Sequence, residues 1–319
     1  MSMNSRAVKT CDVLLKEFHV KKVEILRREK LLFSGVGDKD VYNITAPFQV
    51  EGHWVLAGRV ESRDSEQSEI IFFSKEQGSW TPIPELPTFQ LQDPFMTQIG
   101  DQILIGGVQT FKAPGSFEGL QWRTVFYKGV SLRDLKPFFE GPDGMKDIRL
   151  VKLSDGEIGI FTRPQGAKGG LGKIGFFRVS SLDKLTLEQI AEAPLLEGQF
   201  AAEEWGGVNE AHLLSNGWIG VLGHIAHFDS RGHRHYYPMV FALDPVTGHY
   251  SDIELIAVRS DFEPGPAKRA DLEDVVFSGG IIRKPDGTAE LYAGVSDAEA
   301  QLIVIPDPFI RYEQEKLRK

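Results

Sequence analysis

Asp93, in the stretch Leu91-Gln92-Asp93-Pro94-Phe95, is the residue around which the chemistry of this chain is best organised. A carboxyl group held in a fixed direction can deliver a proton to a reacting oxygen. Pro94 biases the residue before it toward extended backbone, and the run FMTQIGDQILIGG that follows reads as a strand ending in a turn. Asp93 is therefore expected where the chain enters a strand, as a catalytic acid. An isolated Asp-Pro is as readily the start of a turn, so its companions decide. They are Asn43 and Thr45 in YNITAPF, Arg59 and Glu61 in GRVESRDSE, and Asp147 and Arg149 in KDIR. Arg163 in FTRP, Trp205 in EEWGGVNE, His224 in GHIA, Tyr237, Asp274 in DLEDVVF and Asp297 in GVSD follow.

Several carboxylates suit sugar hydroxyls, which they bind as acceptors. Arg149 and Arg163, with His224 and Tyr237, suit a phosphate, because guanidinium forks match oxyanions. Carboxylates for a sugar beside cations for a phosphate point to glycosyl transfer to or from phosphate. Each residue also has a plainer role. Arg59 and Glu61 lie on one side of a strand and can simply pair. Glu203 and Glu204 read as a solvated charge pair, Trp205 as a core plug and His224 as a satisfied core histidine. The run HFDSRGHRHYY looks metallic, yet its Gly and Arg content favours an exposed hairpin, so no metal site is expected. Walker-type loops, a G-x-G-x-x-G after a strand and H-E-x-x-H are all absent from the sequence.

The elements that must position these residues are strands. Short runs of Val, Ile and Phe bounded by Gly, Asn, Asp and Ser dominate beyond residue 40; the sequence allows a short helix around Cys11 to Phe18, and the one convincing helix candidate is DKLTLEQIAEA at Asp183 to Ala193. VEILRREKLLFSG alternates as a strand pair would. A weak repeat supplies the architecture: a polar entry, an apolar strand, a Gly turn and a second strand recur from Asp40, Gln92, Lys146, Gly207 and Glu273. The starts are about 50 to 65 residues apart, enough for a four-stranded blade. The expected fold is all-β, a five-bladed β-propeller over residues 33–319 with its active site in the central funnel. Residues 1–32 form an adaptor of short helix and strand packed on it. A β-sandwich or β-helix is the architectural alternative.

Composition narrows the partners. With 36 basic against 45 acidic residues the net charge is −9, which argues against nucleic acid or an anionic membrane surface. One cysteine, Cys11, excludes an internal disulfide framework, and the N-terminus has no apolar signal core, so a cytoplasmic location is expected.

The strings YNITAPF, GRVESRDSE, QDPF, KDIR with FTRP, WGGVNEAHLLSNG with LGHIA, and DLEDVVFSGG with LYAGVSDAEA closely resemble the mannosyltransferase/phosphorylase family of β-1,2-mannan (mannogen) metabolism. This is glycosyltransferase family 108, formerly a domain of unknown function, and it is similar to the five-bladed mannoside phosphorylases of glycoside hydrolase family 130. The resemblance spans about residues 33 to 309. It implies an inverting phosphorolysis of β-mannosides, or its reversal, with Asp93 as the acid and inorganic phosphate as co-substrate and no other cofactor. It also implies Arg149, Arg163, His224 and Tyr237 around phosphate, and Asn43, Arg59, Asp147 and Asp274 on mannose hydroxyls with Trp205 as an acceptor wall. Manno-oligosaccharide and mannose 1-phosphate are the implied partners. GDP-mannose-dependent mannosyl transfer and non-catalytic glycan binding are the alternatives. One departure stands out: the hydrolase-family relatives carry Glu-Asp-Pro-Arg where this chain has Gln-Asp-Pro-Phe, so a cation beside Asp93 must come from elsewhere or be absent.

Overall fold

The computed structural model describes residues 8–112 and 120–314. Residues 1–7 of the expected adaptor and 315–319 of the expected propeller lie outside the described residues. The strands form five antiparallel sheets, each meandering outward from an inner strand. In blade one the inner strand is broken: Asp40–Tyr42 and Phe48–Val50 both pair with His53–Glu61, followed outward by Ser68–Glu76 and Ser79–Pro82. Blade two runs Gln92–Ile99, Gln102–Phe111, Gln121–Gly129 and Lys136–Glu140. Blade four runs Glu204–Leu213, Ile219–Phe228, Arg234–Leu243 and Glu254–Leu255. Successive blades touch through their inner strands or the strands next to them, and blade five touches blade one, so the sheets close into a five-bladed β-propeller.

Blade three departs from the four-stranded expectation. It has Arg149–Lys152, Ile158–Thr162 and Gly175–Val179, after which the chain forms the short helix Leu187–Glu192. Thr186 caps that helix: its hydroxyl accepts from the Gln189 amide (3.2 Å), while the Gln189 side chain accepts from the Thr186 amide (3.1 Å). This reciprocal box satisfies two amides that would otherwise be orphaned.

Blade five joins the two ends of the chain. Val276–Arg283, Thr288–Val295 and Glu299–Pro306 are completed on the outside by Arg27–Lys30, paired antiparallel with Glu299–Pro306. The expected strand pair in VEILRREKLLFSG is thus one strand in blade five followed by a bridge from Phe33 to Trp80 in blade one. The segment before residue 33 is consequently part of the ring. Its sequence, Arg-Arg-Glu-Lys, is charged throughout, which suits an outermost strand whose free edge must not recruit another chain.

Apolar side chains fill the spaces between blades. Ile148, Leu150 and Ile160 meet Phe95, Leu104 and Phe126 between blades two and three, and equivalent clusters fill the other four interfaces. The helix Cys11–Lys21 covers the interface of blades three and four, burying Cys11, Leu14 and Phe18 at helical spacing. Burial of a Leu or Phe side chain stabilises by about 1.5–3 kcal/mol. The helix start is tied to the ring as well, because the Cys11 amide donates to Glu204 Oε1 at 2.7 Å. Glu204 is therefore a buried anchor and not a solvated charge. No described helix is long and apolar enough to cross a membrane.

Where blades meet at the axis, backbones approach more closely than side chains permit. A Cβ on Gly279, at a bulge in the inner strand of blade five, would lie 1.6 Å from the Ile44 carbonyl oxygen. A Cβ is fixed rigidly to its own backbone and the Ile44 oxygen is backbone too, so relief requires the blades to separate. Gly279→Ala is expected to cost about 3 kcal/mol, the upper range for overpacking, read as a fall of several degrees in melting temperature; an unchanged melting temperature would mean the blade interface is looser than these contacts.

Candidate active site

Asp93 stands near the start of the inner strand of blade two, at a bulge between Gln92 and Phe95, and is 8% exposed. The strand entry was expected; the backbone conformation was not. Its φ is +51°, left-handed and not extended, a conformation that Asp tolerates better than most residues. Asp93 Oδ1 accepts from Asn43 Nδ2 at 2.8 Å and from Arg59 Nη1 at 3.1 Å. Asn43 sits at the break in the inner strand of blade one, also left-handed (φ +44°). Gly294 makes room for it, since a Cβ there would fall 2.0 Å from Asn43 Oδ1.

Arg59 does more than pair with Glu61. Its Nη2 donates to Glu61 Oε2 (2.7 Å), its Nε to Ser68 Oγ (2.9 Å), and its plane lies over the Tyr42 ring at 4.8 Å. Glu61 accepts in turn from Tyr42 (2.8 Å), Ser68 and Lys268. Burial opposes the charge on Glu61, but Arg59, with help from Lys268 and Ser68, holds its pKa below the ordinary value. Burial likewise opposes the charge on Arg59, and Asp93 leads the groups that outweigh it. The cation beside Asp93 thus comes from blade one. Two residues after Asp93, the Phe95 ring supports the Arg149 guanidinium at 3.9 Å.

A second cluster lies at the inner strands of blades three and four. Asp147 is left-handed (φ +61°) and 2% exposed. It faces two guanidiniums at once: Arg163 Nη1 at 3.4 Å and Arg149 Nη2 at 3.9 Å. Otherwise both arginines bond backbone carbonyls, Arg149 Nε to Asn209 (2.8 Å) and Arg163 Nε to Gly206 (2.9 Å). Burial pulls the Arg149 guanidinium down to about 10. His224 is buried beside them, its Nδ1 2.8 Å from Asn209 Oδ1. Burial pushes its pKa down to about 3, with Asp147 opposing the shift and Arg163 adding to it, so the imidazole is neutral. Gly207 packs at the centre; a Cβ there would lie 2.8 Å from Asp147 Oδ2 and 3.0 Å from both Arg163 Cδ and His224 Cε1. Asn43 Oδ1 and Asn209 Nδ2 are buried with no hydrogen-bond partner among the described residues, and Asp147 Oδ2 and Arg163 Nη1 have only their ion pair with each other at 3.4 Å. Buried polar atoms are normally satisfied. A polar ligand here could satisfy these atoms.

Tyr237 is not with His224. Its hydroxyl donates to Asp274 Oδ2 (2.8 Å), which also receives His235 Nδ1 (2.6 Å); burial and then Asp274 raise the Tyr237 pKa. The ring that stacks on His224 is that of Tyr236, at 5.4 Å. Trp205 is 5% exposed and donates from Nε1 to the Tyr236 hydroxyl (3.1 Å), so it acts as a plug behind His224 instead of an open wall. HFDSRGHRHYY forms the hairpin joining Ile219–Phe228 to Arg234–Leu243. Among the described residues no group of three or more His, Cys, Asp or Glu is placed to hold a metal ion. Lys268, in the loop GPAKRADLE, is a member of the Asp93 network that nothing in the sequence singles out. Asp297, left-handed and partly buried, joins the same half: burial lifts its pKa to about 6, Arg59 opposing and Asp93 adding to the shift.

Fold and funnel together define the class: a five-bladed β-propeller with a polar, charged funnel at its axis. Residues 17–311 match the model of the family described as "Protein of unknown function (DUF1861)", and the chain belongs to that family. It is similar to MPT-4, a mannose phosphorylase from Leishmania mexicana solved with a phosphate ion: 35% identity over 93% of each chain, TM-score 0.86. It is also similar to MPT-1, a GDP-Man-dependent mannosyltransferase from Leishmania mexicana: 34% identity over 94% of this chain and 95% of that one, TM-score 0.85. A β-1,2-mannobiose phosphorylase from Listeria innocua shares the fold at 15% identity, covering 92% and 95% of the two chains, with a TM-score of 0.59. No curated protein sequence matches the chain.

The two shifted groups give opposite pH signatures. His224 binds its proton far less readily when folded than the unfolded value near 6.5, so it withdraws stability as pH falls from about 6.5 toward 3. Asp297 binds its proton more readily when folded, so it withdraws stability as pH rises from about 4 through 6. Asp297→Asn is accordingly expected to raise the melting temperature at pH 7.5 and leave it unchanged at pH 4; an equal effect at both pH values would exclude a titration at this site.

Proposed function

We propose that the protein is an inverting phosphorylase of β-mannosides, acting on β-1,2-linked manno-oligosaccharides with inorganic phosphate. One observation carries the reading: the funnel is divided into a carboxylate half and a cationic half. On one side Asp93 is oriented by Asn43 and Arg59, with both bonds on Oδ1, so Oδ2 is the oxygen to carry a transferable proton. On the other, two buried guanidiniums share the single carboxylate of Asp147. Buried charge is costly unless paired, and an anion between Arg149 and Arg163 would supply the missing partner. The similarity to a phosphorylase solved with phosphate supports that assignment.

In this reading a phosphate oxygen attacks the anomeric carbon from the face opposite the glycosidic oxygen. The bond to the departing sugar breaks as the new carbon–oxygen bond forms. Asp93 supplies the proton that the departing oxygen gains, relayed through a hydroxyl of the bound mannose. The products are α-mannose 1-phosphate and a chain shorter by one residue. Phosphate arrives anionic and needs no general base. Neutral His224 serves as a hydrogen-bonding group at the anion, with Tyr236 and Trp205 fixing its ring; Tyr237 and Asp274 support the neighbouring wall. Asn43, Arg59 and Asp147 offer the donors and acceptors for mannose hydroxyls.

The second reading is mannosyl transfer from GDP-mannose, because similarity to the GDP-Man-dependent enzyme is nearly as high. The same cationic half would then hold a diphosphate. Release of mannose 1-phosphate from β-1,2-mannobiose, with and without phosphate and with the anomer read by NMR, separates the two. Phosphate-dependent α anomer is the expected result; activity appearing only with GDP-mannose would overturn it. Asp93→Asn is expected to lower turnover by about 10²–10⁴ while the protein stays folded at a lower melting temperature, because buried Arg59 loses a charged partner. Arg163→Ala should raise the KM for phosphate by tenfold or more with a far smaller change for the sugar, and equal losses for both ligands would assign it a structural role.

A further inference from the structure

We infer that the rim between blades one and five is a binding subsite for the distal sugars of a neutral oligosaccharide, an inference that rests on the function just proposed. Here the hairpin after Glu61 faces the loop that carries Lys268 and Arg269, and between them opens a cavity of about 660 Å³. That is within the range of about 300–1,000 Å³ typical of small-molecule sites. Asp38, Arg63, Asp64, Glu66, Lys268 and Arg269 line it.

The cavity lies near the Asp93 carboxylate, which does not itself line it. A single guanidinium separates them: Arg59 contacts Asp93 through Nη1 (3.1 Å) and lies 3.7 Å from Glu66 through Nη2. Lys268 stiffens the junction, its ammonium held by Glu61, by the Ser65 carbonyl (2.8 Å) and by Glu66 (3.1 Å) while only 4% of its side chain is exposed. The floor of the rim site is therefore fixed by the network that orients Asp93. Its outer wall stays accessible: the Arg63, Glu66 and Arg269 side chains are each about half exposed.

Charge identifies the ligand. The lining holds three acids and three bases, and each base already has a carboxylate partner: Arg63 with Asp40 (2.7 Å), Lys268 with Glu61, and Arg269 with Glu66 (3.0 Å) and Asp271 (3.1 Å). Unlike the pair at Asp147, these cations are compensated, so the rim does not call for a phosphate or a nucleotide. Among the described residues no aromatic ring lines it to stack a base. Closely mixed donors and acceptors without net charge match vicinal hydroxyls, which donate and accept at once. A disaccharide would end within the funnel, and only longer chains would reach Arg63 and Arg269.

The test is calorimetric titration of the full chain and of the double variant Arg63→Ala/Arg269→Ala with β-1,2-mannobiose and with the tetrasaccharide. The bridges being removed are exposed and contribute little to stability, and the melting temperature checks this. Wild type should bind the tetrasaccharide the more tightly. The double variant should lose about tenfold for the tetrasaccharide, the scale of a charge-assisted hydrogen bond, and less than twofold for the disaccharide. Equal losses for both sugars, or none for either, would overturn the rim subsite and leave the proposed function standing. Wild type binding neither sugar would overturn both.

Discussion

Convergence of five inner strands on one axis is the constraint from which the site follows. Near the axis the backbone must leave its ladder, and it does so at Asn43, Asp93, Asp147 and Asp297, all at positive φ. A left-handed non-glycine residue carries a cost of order 1 kcal/mol or more, least for Asn and Asp. The residue types that tolerate the turn are also those that bring an amide or a carboxylate to the axis. Backbone strain and chemical function thus select the same side chains, and the polar ring is a consequence of closing the propeller.

Such a ring places charges in a poorly hydrated interior, where each must be answered. The two halves do this to different degrees. Around Arg59 the charges are matched: Asp93 and Glu61 on the guanidinium, Lys268 and Ser68 on Glu61. Around Asp147 they are not, since Arg149 and Arg163 lean on backbone carbonyls and divide one carboxylate between them. A matched network is rigid and holds its acid in one orientation. An unmatched one stores electrostatic potential that an incoming anion can use. His224, kept neutral by the same burial and the same arginines, adds no further positive charge.

Much of this was legible in the chain because repeats and strand entries carry their own signals. The five polar entries near Asp40, Gln92, Lys146, Gly207 and Glu273 coincide with or lie close to the inner strands that begin at Asp40, Gln92, Arg149, Glu204 and Val276. The grouping of Asp93 with Asn43 and Arg59, and of Arg149 with Arg163 and His224, follows from those entries meeting at the axis, whereas Asp147, expected among the mannose contacts, lies beside the two arginines. What was hidden depended on facing and on distance in sequence. Tyr236 and Tyr237 are adjacent, and in a strand adjacent side chains point to opposite faces; composition cannot say which one meets His224. Glu204 was indistinguishable from Glu203 until the helix at Cys11 supplied its partner, 193 residues away. Lys268 sits in a polar loop where a lysine is unremarked, and only the closing of blade five onto blade one brings it to Glu61.

The exchange at Phe95 shows how such a site can keep its electrostatics while changing its sequence. A cation two residues after the acid would reach Asp93 from its own strand. Here Arg59 reaches it from blade one, and Phe95 instead supports Arg149 from below, the ring face meeting the guanidinium at 3.9 Å. A cation over an aromatic face is stabilised without a counter-ion. Arg149 is thereby held in the cationic half without a carboxylate of its own, which would neutralise it. An arginine at position 95 would place a further positive charge beside Arg149 and remove the surface that supports it. Phenylalanine therefore leaves the carboxylate half answered by Arg59 and Lys268 and the other half with its excess of positive charge, and that separation is what the proposed pairing of a proton donor with an anion requires.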